Sequence, residues 1–334
     1  MRRAIAYATG VLAVALLSSP MLNPEQLVSL TVFTGFILGS LLYWPFRNAF
    51  ALAGVALLLG FGVLDVEGLI EFSKLEIILF LVSMMIVVGY LEERGFFEWL
   101  IDSAITPLAG RPRLLIYVML VLAAVMAALV DEVTSILFMM AIMIRVLGGY
   151  GIRGGAIMPY MLFLVFTTNI GSSALPVGNP IGVMIAFEAR LSVEDFIRWP
   201  LPLMVLNTLL TAGLGVAYLS RFAGLPSRGS GGLRGHSPPV RKLLTPIAVF
   251  VGVLAGLVTH SSIEELLGLE ETTMLLGVPM VGAGVCLMLE GRRARDLVEK
   301  KVDWWTLLYF LLLFASVGTL EHVGITELVK DWLL

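Results

Sequence analysis

The segment Thr167-Thr168-Asn169-Ile170-Gly171-Ser172-Ser173-Ala174-Leu175-Pro176-Val177-Gly178-Asn179-Pro180 interrupts a long apolar stretch with small, polar and helix-breaking residues. Strongly apolar runs flank it on both sides, at Ala156–Phe166 and Ile181–Phe187. If these runs are buried in a membrane, the interruption lies at membrane depth, where irregular backbone is tolerated only inside protein or beside a watery cavity. The segment therefore predicts a discontinuous helix over residues 156–188, an arrangement that binds ions or anionic substrates in transporters.

The composition is that of a polytopic membrane protein. Of the 334 residues, 58% are hydrophobic and 14% are charged, whereas ordinary soluble domains have about 45–50% apolar and about 25% charged residues. Cys286 is the one cysteine, so the chain can form neither an internal disulfide nor a cysteine-based metal site. The sequence has no G-x-x-x-x-G-K-[ST] phosphate loop, and we expect ion gradients rather than nucleotides to drive any transport. Nothing in the sequence indicates a nucleic-acid partner.

Further apolar runs have about the length needed to cross a bilayer, which is about 17–25 residues of helix. The first, Ala4–Leu17, follows Met1-Arg2-Arg3 and has the shape of a signal peptide. Because no small-x-small cleavage site follows it, we predict an uncleaved extra span within residues 1–26. The other runs are Leu27–Trp44, Asn48–Leu64, Glu76–Leu91, Pro200–Leu219, Leu243–Val258, Thr272–Leu289 and Trp304–Thr319.

The run Leu114–Leu147 is too long for one simple span and is interrupted by Asp131-Glu132. We predict that it folds back as a re-entrant hairpin of two half-length helices that meet near Asp131. The positive-inside rule supports this topology. With a cytoplasmic amino terminus, the inner segments hold all 22 Lys and Arg residues except Lys74, Arg190, Arg198 and Lys330. A single crossing over 114–147 would exchange the sides of every later loop and remove the bias.

An internal similarity indicates a repeat. Residues 89–98, GYLEERGFFE, align without a gap with residues 318–327, GTLEHVGITE. In the predicted topology these segments run in opposite directions, as an inverted repeat requires. A linker rich in Gly, Ser, Pro and Arg at 221–242, predicted to be cytoplasmic, separates a first repeat at 27–220 from a second at 243–334. We expect the second repeat to lack a hairpin, a broken helix and a last span.

Three segments carry a family resemblance. Asn169–Pro180 resembles the motif N-I-G-G-x-A-x-x-I-G-D-P-P, residues 131–135, DEVTS, resemble D-N-V-T-T, and Val87–Trp99 resembles V-G-x-L-E-x-x-G. These are motifs of the arsenite permease and NhaD-type sodium/proton antiporter family of the ion transporter superfamily, which also contains citrate and dicarboxylate carriers.

The resemblance implies an all-α inverted-repeat transporter fold with a re-entrant hairpin and a broken helix. It also implies secondary active transport of small ions in a plasma membrane, with Na⁺ or H⁺ as the coupling ion. The cargo would be arsenite, a carboxylate or another oxyanion, or the protein would exchange Na⁺ for H⁺. Several positions depart from the motifs, among them Glu132, which replaces Asn, Asn179, which replaces Asp, Ser172, which replaces Gly, and Ile181, which replaces the second Pro. The gain of one carboxylate and the loss of another could change which ion is held.

The candidate site residues lie in the hairpin and in the break. A carboxylate near the membrane centre costs about 2.5–3.5 kcal/mol on insertion scales. Asp131 and Glu132 therefore indicate a cavity, a cation or exchangeable protons, unless the hairpin tip simply touches water. The break offers hydroxyl and amide groups, and its glycines permit unwound backbone or, alternatively, close helix packing. The predicted binding residues are Asp131, Glu132, Thr134, Ser135, Thr168, Asn169, Gly171, Ser172, Ser173 and Asn179.

We expect the two segments to lie close together, because one watery pocket would satisfy the polar groups of both. A Na⁺ ion could bind to Asp131, Thr134 and Asn169 together with freed carbonyls near Gly171, since hard cations prefer oxygen ligands. An anionic substrate could meet helix amino ends near Ser172 and Ser173.

Two other classes of function are open at this point. The expected gap in the second repeat allows a non-transporting fragment or a subunit of a split transporter. Its partners would be a complementing carboxyl-terminal half or a second copy, besides the lipid bilayer and a small ion. An intramembrane enzyme is less favoured, because the sequence has no G-x-S-x-G or G-x-S-G pattern and no second intramembrane Asp to pair with Asp131. We therefore predict no catalytic residues and no cofactor beyond the coupling ion.

Overall fold

The computed structural model describes residues 2–108, 110–224 and 242–333, and most of the predicted linker at 221–242 lies outside the described residues. Within those ranges the chain forms α-helices and short helical turns, and no strand. The helices are α1 Arg2–Ser18, α2 Pro24–Leu42, α3 Arg47–Gly60, α4 Val66–Phe72, α5 Leu75–Glu93, α6 Phe96–Ile105, α7 Pro112–Leu129, α8 Glu132–Gly149, α9 Met158–Ser172, α10 Pro180–Glu188, α11 Val193–Arg198, α12 Pro200–Tyr218, α13 Leu244–Val258, α14 His260–Leu267, α15 Thr273–Glu290, α16 Ala294–Lys301, α17 Trp304–His322 and α18 Ile325–Leu333.

The long helices have the surface expected of membrane spans. Among the described residues, eight helical stretches are long and apolar enough to cross a bilayer, and the bent pair α13–α14 would make a ninth. In α12 the most exposed side chains are leucines spaced three or four residues apart, while the small residues Ala212 and Gly215 are buried. Leucines that face outward and small residues that face inward are typical of helices surrounded by lipid. The chain is an all-helical integral membrane protein, as predicted.

The order of helices recurs along the chain. α5 spans residues 75–93 and α17 spans residues 304–322, so the spacing that aligns the two sequence segments also aligns both ends of these helices. The same spacing also relates α4 to α16 and α6 to α18, with helix ends that agree to within one position. Glycines with a left-handed backbone recur too, Gly62 with Gly291 and Gly95 with Gly324. The order of elements therefore recurs at the spacing of the sequence alignment, while the repeat itself and the opposite orientation of its two copies stay predictions.

The repetition extends to one packing contact. A Cβ atom on Gly89 would lie 2.6 Å from the Cβ of Lys301, and a Cβ on Gly318 would lie 2.5 Å from the Cβ of Phe72. In the alignment of the two repeats, Gly318 corresponds to Gly89 and Lys301 corresponds to Phe72. Each glycine therefore contacts the last residue of the short helix that precedes the other copy's span, a lysine for Gly89 and a phenylalanine for Gly318.

Ion pairs fix the carboxyl end of α5 to two other helices. Lys301 Nζ lies 3.0 Å from Glu92 Oε1 and 2.9 Å from Glu93 Oε1, and Arg94 donates a hydrogen bond to Glu290 at 2.7 Å. The bond to Glu290 raises the pKa of Arg94. The ion pairs hold α5 against α15 and α16 just before the left-handed turn at residue 95.

We expect Lys301→Met to lower the unfolding free energy by about 1 kcal/mol, since two partly exposed ion pairs are lost while the aliphatic stem over Gly89 is retained. Thermal unfolding of the purified protein would measure the change. Lys300→Met is the matched control, because Lys300 is 69% exposed and its ion pair is with Asp296 on its own helix. An equal effect of both substitutions would contradict a role for the Lys301 pairs.

The chain divides into two compact units. One comprises Met1–Ile78 with Asp303–Leu334, and its core lies where α17 contacts α2, α3 and α4. The other comprises Leu79–Val302 and contains both candidate site segments. In this second unit α7 is the central helix, because it contacts α8, α9 and α12 and buries half of its residues. The division into two sequential repeats remains a prediction.

The predicted interruption of 114–147 is confirmed. Helix α7 ends at Leu129 and α8 begins at Glu132. Each has 18 residues, and at 1.5 Å per residue each is about 27 Å long. Each piece is therefore about half the length of the run 114–147, as predicted, and re-entry of the pair into the membrane stays a prediction. Whether the pair re-enters or crosses twice, the chain returns to the same side of the membrane, so the charge argument is unaffected.

Candidate functional site

The predicted discontinuous helix is confirmed. Helix α9 ends at Ser172, a 3₁₀ turn covers Pro176–Gly178, and α10 begins at Pro180. Proline fits this first helical position because its missing N–H would have no partner there. Asn179, in extended conformation, accepts a hydrogen bond through Oδ1 from the N–H of Gly182 at 2.8 Å. The local sequence thus ends one helix and starts the next with a side-chain cap.

The tip of the hairpin is built in the same way. Asp131 is also extended, and its Oδ1 accepts a hydrogen bond from the N–H of Thr134 at 2.8 Å. A carboxylate at this position is stabilised by the partial positive charge of the helix amino end. Two helices, α8 and α10, therefore begin at capped amino ends within the second unit.

The two segments meet, as predicted from the sequence. The hydroxyl of Ser172 donates to Oε2 of Glu132 at 3.2 Å. Nδ2 of Asn179 donates to the carbonyl of Ser172 at 2.9 Å and to its Oγ at 3.2 Å. Ser172 is only 2% exposed, so its hydroxyl depends on these protein partners. We refer to Glu132, Ser172 and Asn179 as the Ser172 cluster.

Three other predicted residues bond to their own helix. Nδ2 of Asn169 donates to the carbonyl of Val165 at 2.8 Å, and Asn169 is exposed. The hydroxyl of Thr168 donates to the carbonyls one turn back, and that of Ser173 donates to the carbonyl of Ile170 at 2.7 Å. Such back-bonding satisfies polar groups locally. The side chains of Thr168, Asn169 and Ser173 therefore have partners within their own segment.

The carbonyls at the end of α9 are not free, which corrects the sequence-based expectation. The carbonyl of Gly171 accepts from the N–H of Ala174 at 3.1 Å, and that of Ile170 accepts from the N–H of Ser173 at 3.3 Å. The Ser172 carbonyl is bonded to Asn179. The reason is that the chain tightens into 3₁₀-type bonds after the last helical turn, which satisfy the terminal carbonyls.

Both glycines of this region lie in close backbone contacts. Gly171 is helical, and a Cβ atom there would lie 2.2 Å from the carbonyl oxygen of Ala124 on α7. A Cβ atom on Gly178 would lie 2.3 Å from the carbonyl oxygen of Ser172. The expectation that Gly171 lies in unwound chain is wrong, and the alternative of close helix packing holds for it.

Ser135 is the predicted residue with an unsatisfied group. Its side chain is fully buried, and its hydroxyl has no hydrogen-bond partner in the part of the chain that the structure describes. It lies on α8 one turn after Glu132. A buried hydroxyl without a partner needs an explanation such as an ion or a water molecule.

The oxygen groups of this region suit a hard cation. Carboxylate, hydroxyl and amide oxygens are the ligands of such ions. Over the described ranges no group of three or more His, Cys, Asp or Glu could hold a metal ion, so a transition-metal centre is not indicated there. A groove of about 390 Å³ beside the break is lined mainly by apolar residues, among them Trp199 and Leu203, which are more than 60% exposed. It is therefore part of the apolar outer surface rather than a chamber for a charged substrate.

Comparison with known proteins supports the same assignment. The family model described as citrate transporter matches residues 33–334. Uncharacterized transporter Rv2685 of Mycobacterium tuberculosis is 27% identical over 311 residues, which are 90% of this chain and 70% of the relative. The 46 kDa membrane protein of Mycobacterium leprae is 28% identical over 290 residues, 83% of this chain and 64% of the relative. Silicon efflux transporter LSI3 of Oryza sativa subsp. japonica is 31% identical over 173 residues, 52% of this chain and 34% of the relative.

These matches confirm the predicted superfamily and the prediction of a transporter rather than an enzyme. They do not distinguish the arsenite permease or NhaD-type branch. With the broken helix, the capped hairpin and a family match over residues 33–334, the chain belongs to the citrate transporter family of membrane proteins.

Proposed function

We propose that the protein is a secondary active transporter of the plasma membrane that carries a small anion together with, or in exchange for, Na⁺ or H⁺. The observation that supports this most is the hydrogen bond from Ser172 to Glu132. It brings a carboxylate of the hairpin and the end of the broken helix together within an apolar membrane protein. The family description names citrate, and a carboxylate or a similar oxyanion is therefore the cargo that we propose.

The geometry offers complementary groups for both ions. The amino ends of α8 and α10 carry partial positive charge, which favours an anion. Asp131 and Glu132, both partly buried, favour a cation. Because an isolated charge is costly to bury while a paired one is less so, each ion would make binding of the other more favourable. This mutual dependence is the physical basis of coupling in the proposed mechanism.

A Na⁺ site at Asp131, Thr134 and Asn169 remains a proposal. Asp131 and Thr134 already lie together through the cap of α8. Asn169 would contribute its Oδ1, because its Nδ2 donates to the carbonyl of Val165. Ser135, with its unsatisfied buried hydroxyl, is the additional ligand that we propose. The positive-inside bias supports a cytoplasmic amino terminus, and a second copy or a complementing chain as partner stays a proposal as well.

The test is uptake into liposomes by the purified full chain under an imposed Na⁺ or pH gradient, with citrate, succinate and arsenite as probes. We expect gradient-driven uptake of at least one probe, and a loss of about tenfold or more in Asp131→Asn. Asparagine can still cap Thr134 but carries no charge, so only the cation interaction is removed.

The matched control is Glu194→Gln, which removes an exposed carboxylate in the first turn of α11. It should transport as the wild type does. Failure of all three probes under both gradients would overturn the proposed function. Unchanged gradient dependence in Asp131→Asn would remove Asp131 from the site.

A further inference from the structure

The Ser172 cluster is a chain of three groups with a fixed direction. Oδ1 of Asn179 accepts from the N–H of Gly182, so the other end of the amide, Nδ2, must face Ser172. The amide of Asn179 therefore donates, and the hydroxyl of Ser172 receives one of its hydrogens. That hydroxyl can donate in turn to Glu132 at 3.2 Å or to the carbonyl of Asn169 at 3.0 Å.

One hydroxyl hydrogen limits the number of acceptors that the cluster can hold. A serine hydroxyl has a single hydrogen and two acceptor lone pairs. With an amide at 179 and a carboxylate at 132, every group finds a complementary partner. A carboxylate at 179 would remove both N–H groups that reach Ser172. It would also place a negative oxygen against the Ser172 carbonyl, about 3 Å away by analogy with the present bonds, where acceptors repel each other.

The geometry points to Glu132 and Asn179 as one positioning pair around the Ser172 hydroxyl. The pair keeps a single carboxylate next to this hydroxyl and determines whether that carboxylate belongs to the hairpin or to the broken helix. In this protein the charge is on the hairpin. The amide of Asn179 occupies the carbonyl of Ser172 and so keeps a cation from that oxygen. The coupling cation is thereby directed to the Glu132 side, next to Asp131. This inference rests on the proposed function of ion-coupled transport.

The motifs that the chain resembles agree with such a pair. They have Asn at the position of Glu132 and Asp at the position of Asn179, so both arrangements contain one amide and one carboxylate. The structure adds that the two positions, which belong to separate segments of the chain, flank one buried hydroxyl. If the amide and the carboxylate change places between positions 132 and 179, the charge of the Ser172 cluster is preserved. A substitution at only one of the two positions changes that charge.

The first test is thermal unfolding of the purified full chain in Na⁺-free buffer. We expect Asn179→Asp to lower the Tm by about 5 °C or more. Glu132→Gln should have little effect, because the new amide oxygen still accepts from Ser172. The double variant Glu132→Gln with Asn179→Asp should regain at least half of the loss, since the hydroxyl can then donate to the carboxylate at 179. The control Glu194→Gln with Asn179→Asp should regain nothing.

Equal losses from Asn179→Asp in the presence and in the absence of Glu132→Gln would overturn the pair. If Asn179→Asp does not fold, recovery of folded, monodisperse protein in the double variant is the supporting result. If the double variant also does not fold, while Asn179→Ala does fold, the result contradicts the pair.

The second test titrates Na⁺ alone and follows the rise in Tm that ligand binding causes. Glu132→Gln should raise the midpoint at least about tenfold, and the double variant should return to within about threefold of the wild type. A merely structural pair would restore the Tm without restoring the midpoint, and that result would overturn the inference.

If the two positions are coupled but Asp131→Asn keeps gradient-driven uptake, the proposed site fails while the pair stands. If Asp131→Asn abolishes coupling and the positions behave independently, the pair fails while the proposed function stands.

Discussion

Gly171→Ala is expected to prevent accumulation of folded protein, or to lower the Tm of what remains by about 2–4 °C. The new Cβ would lie 2.2 Å from the carbonyl oxygen and 2.5 Å from the Cα of Ala124. These are backbone atoms of α7, so no side chain can rotate away and the two helices must separate. Overpacking of this kind costs about 1–3 kcal/mol and sometimes more. The measurement is the yield of monodisperse protein after detergent extraction, followed by thermal unfolding.

The contact also matters for the site. Helix α7 leads into the hairpin tip, and the residue after Gly171 is Ser172, which bonds to Glu132. A wider spacing of α7 and α9 would therefore separate the Ser172 cluster as well.

Gly213→Ala is the matched control for this prediction. Gly213 also lies within a helix, α12, but a Cβ atom there would meet nothing within 4 Å. Alanine should be neutral or slightly stabilising at such a position, by about 0.5–1 kcal/mol. If Gly171→Ala were as stable as Gly213→Ala, the tight contact between α7 and α9 would not exist in the folded protein.

The positions of the spans can be read from the sequence because hydropathy and helix-breaking residues act locally. The apolar run Pro200–Leu219 corresponds to α12, and Trp304–Thr319 corresponds to α17. The two interruptions are predictable for the same reason. Asp131 and Asn179 can cap the helices that follow them from within their own segments, and a cap of this kind needs no distant partner.

The partners of the polar side chains cannot be predicted from the sequence. The motif favours a shared pocket for Thr168 and Asn169, but backbone carbonyls three or four residues back are always within reach and satisfy them. Ser172 differs because Glu132 and Asn179 approach it from two other segments. That approach depends on the close contact at Gly171, which no periodicity reveals.

Gly178→Ala is expected to reduce transport by about tenfold or more while leaving most of the protein folded. A Cβ atom on Gly178 would lie 2.3 Å from the carbonyl oxygen of Ser172 and 2.8 Å from its carbonyl carbon. The 3₁₀ turn must therefore move away from the end of α9. That movement lengthens the 2.9 Å bond from Asn179 to the same carbonyl and withdraws the amide from the Ser172 hydroxyl. The cap from Asn179 to Gly182 lies within four residues and moves with the turn, so α10 should persist.

The matched control is Gly182→Ala, four residues further along the same break. A Cβ atom there would approach the carbonyl oxygen of Pro176 to 3.3 Å, a contact that a shift of a few tenths of an ångström relieves. It also lies in the first turn of α10, where alanine favours the helix. Gradient-driven uptake by the two variants, normalised to folded protein, decides the matter. Equal activity would show that transport tolerates displacement of the turn, and the Ser172 cluster would then have no part in binding. A selective loss in Gly178→Ala would place the function at the junction where the broken helix meets the hairpin, because this substitution disturbs that junction and leaves both helix caps in place.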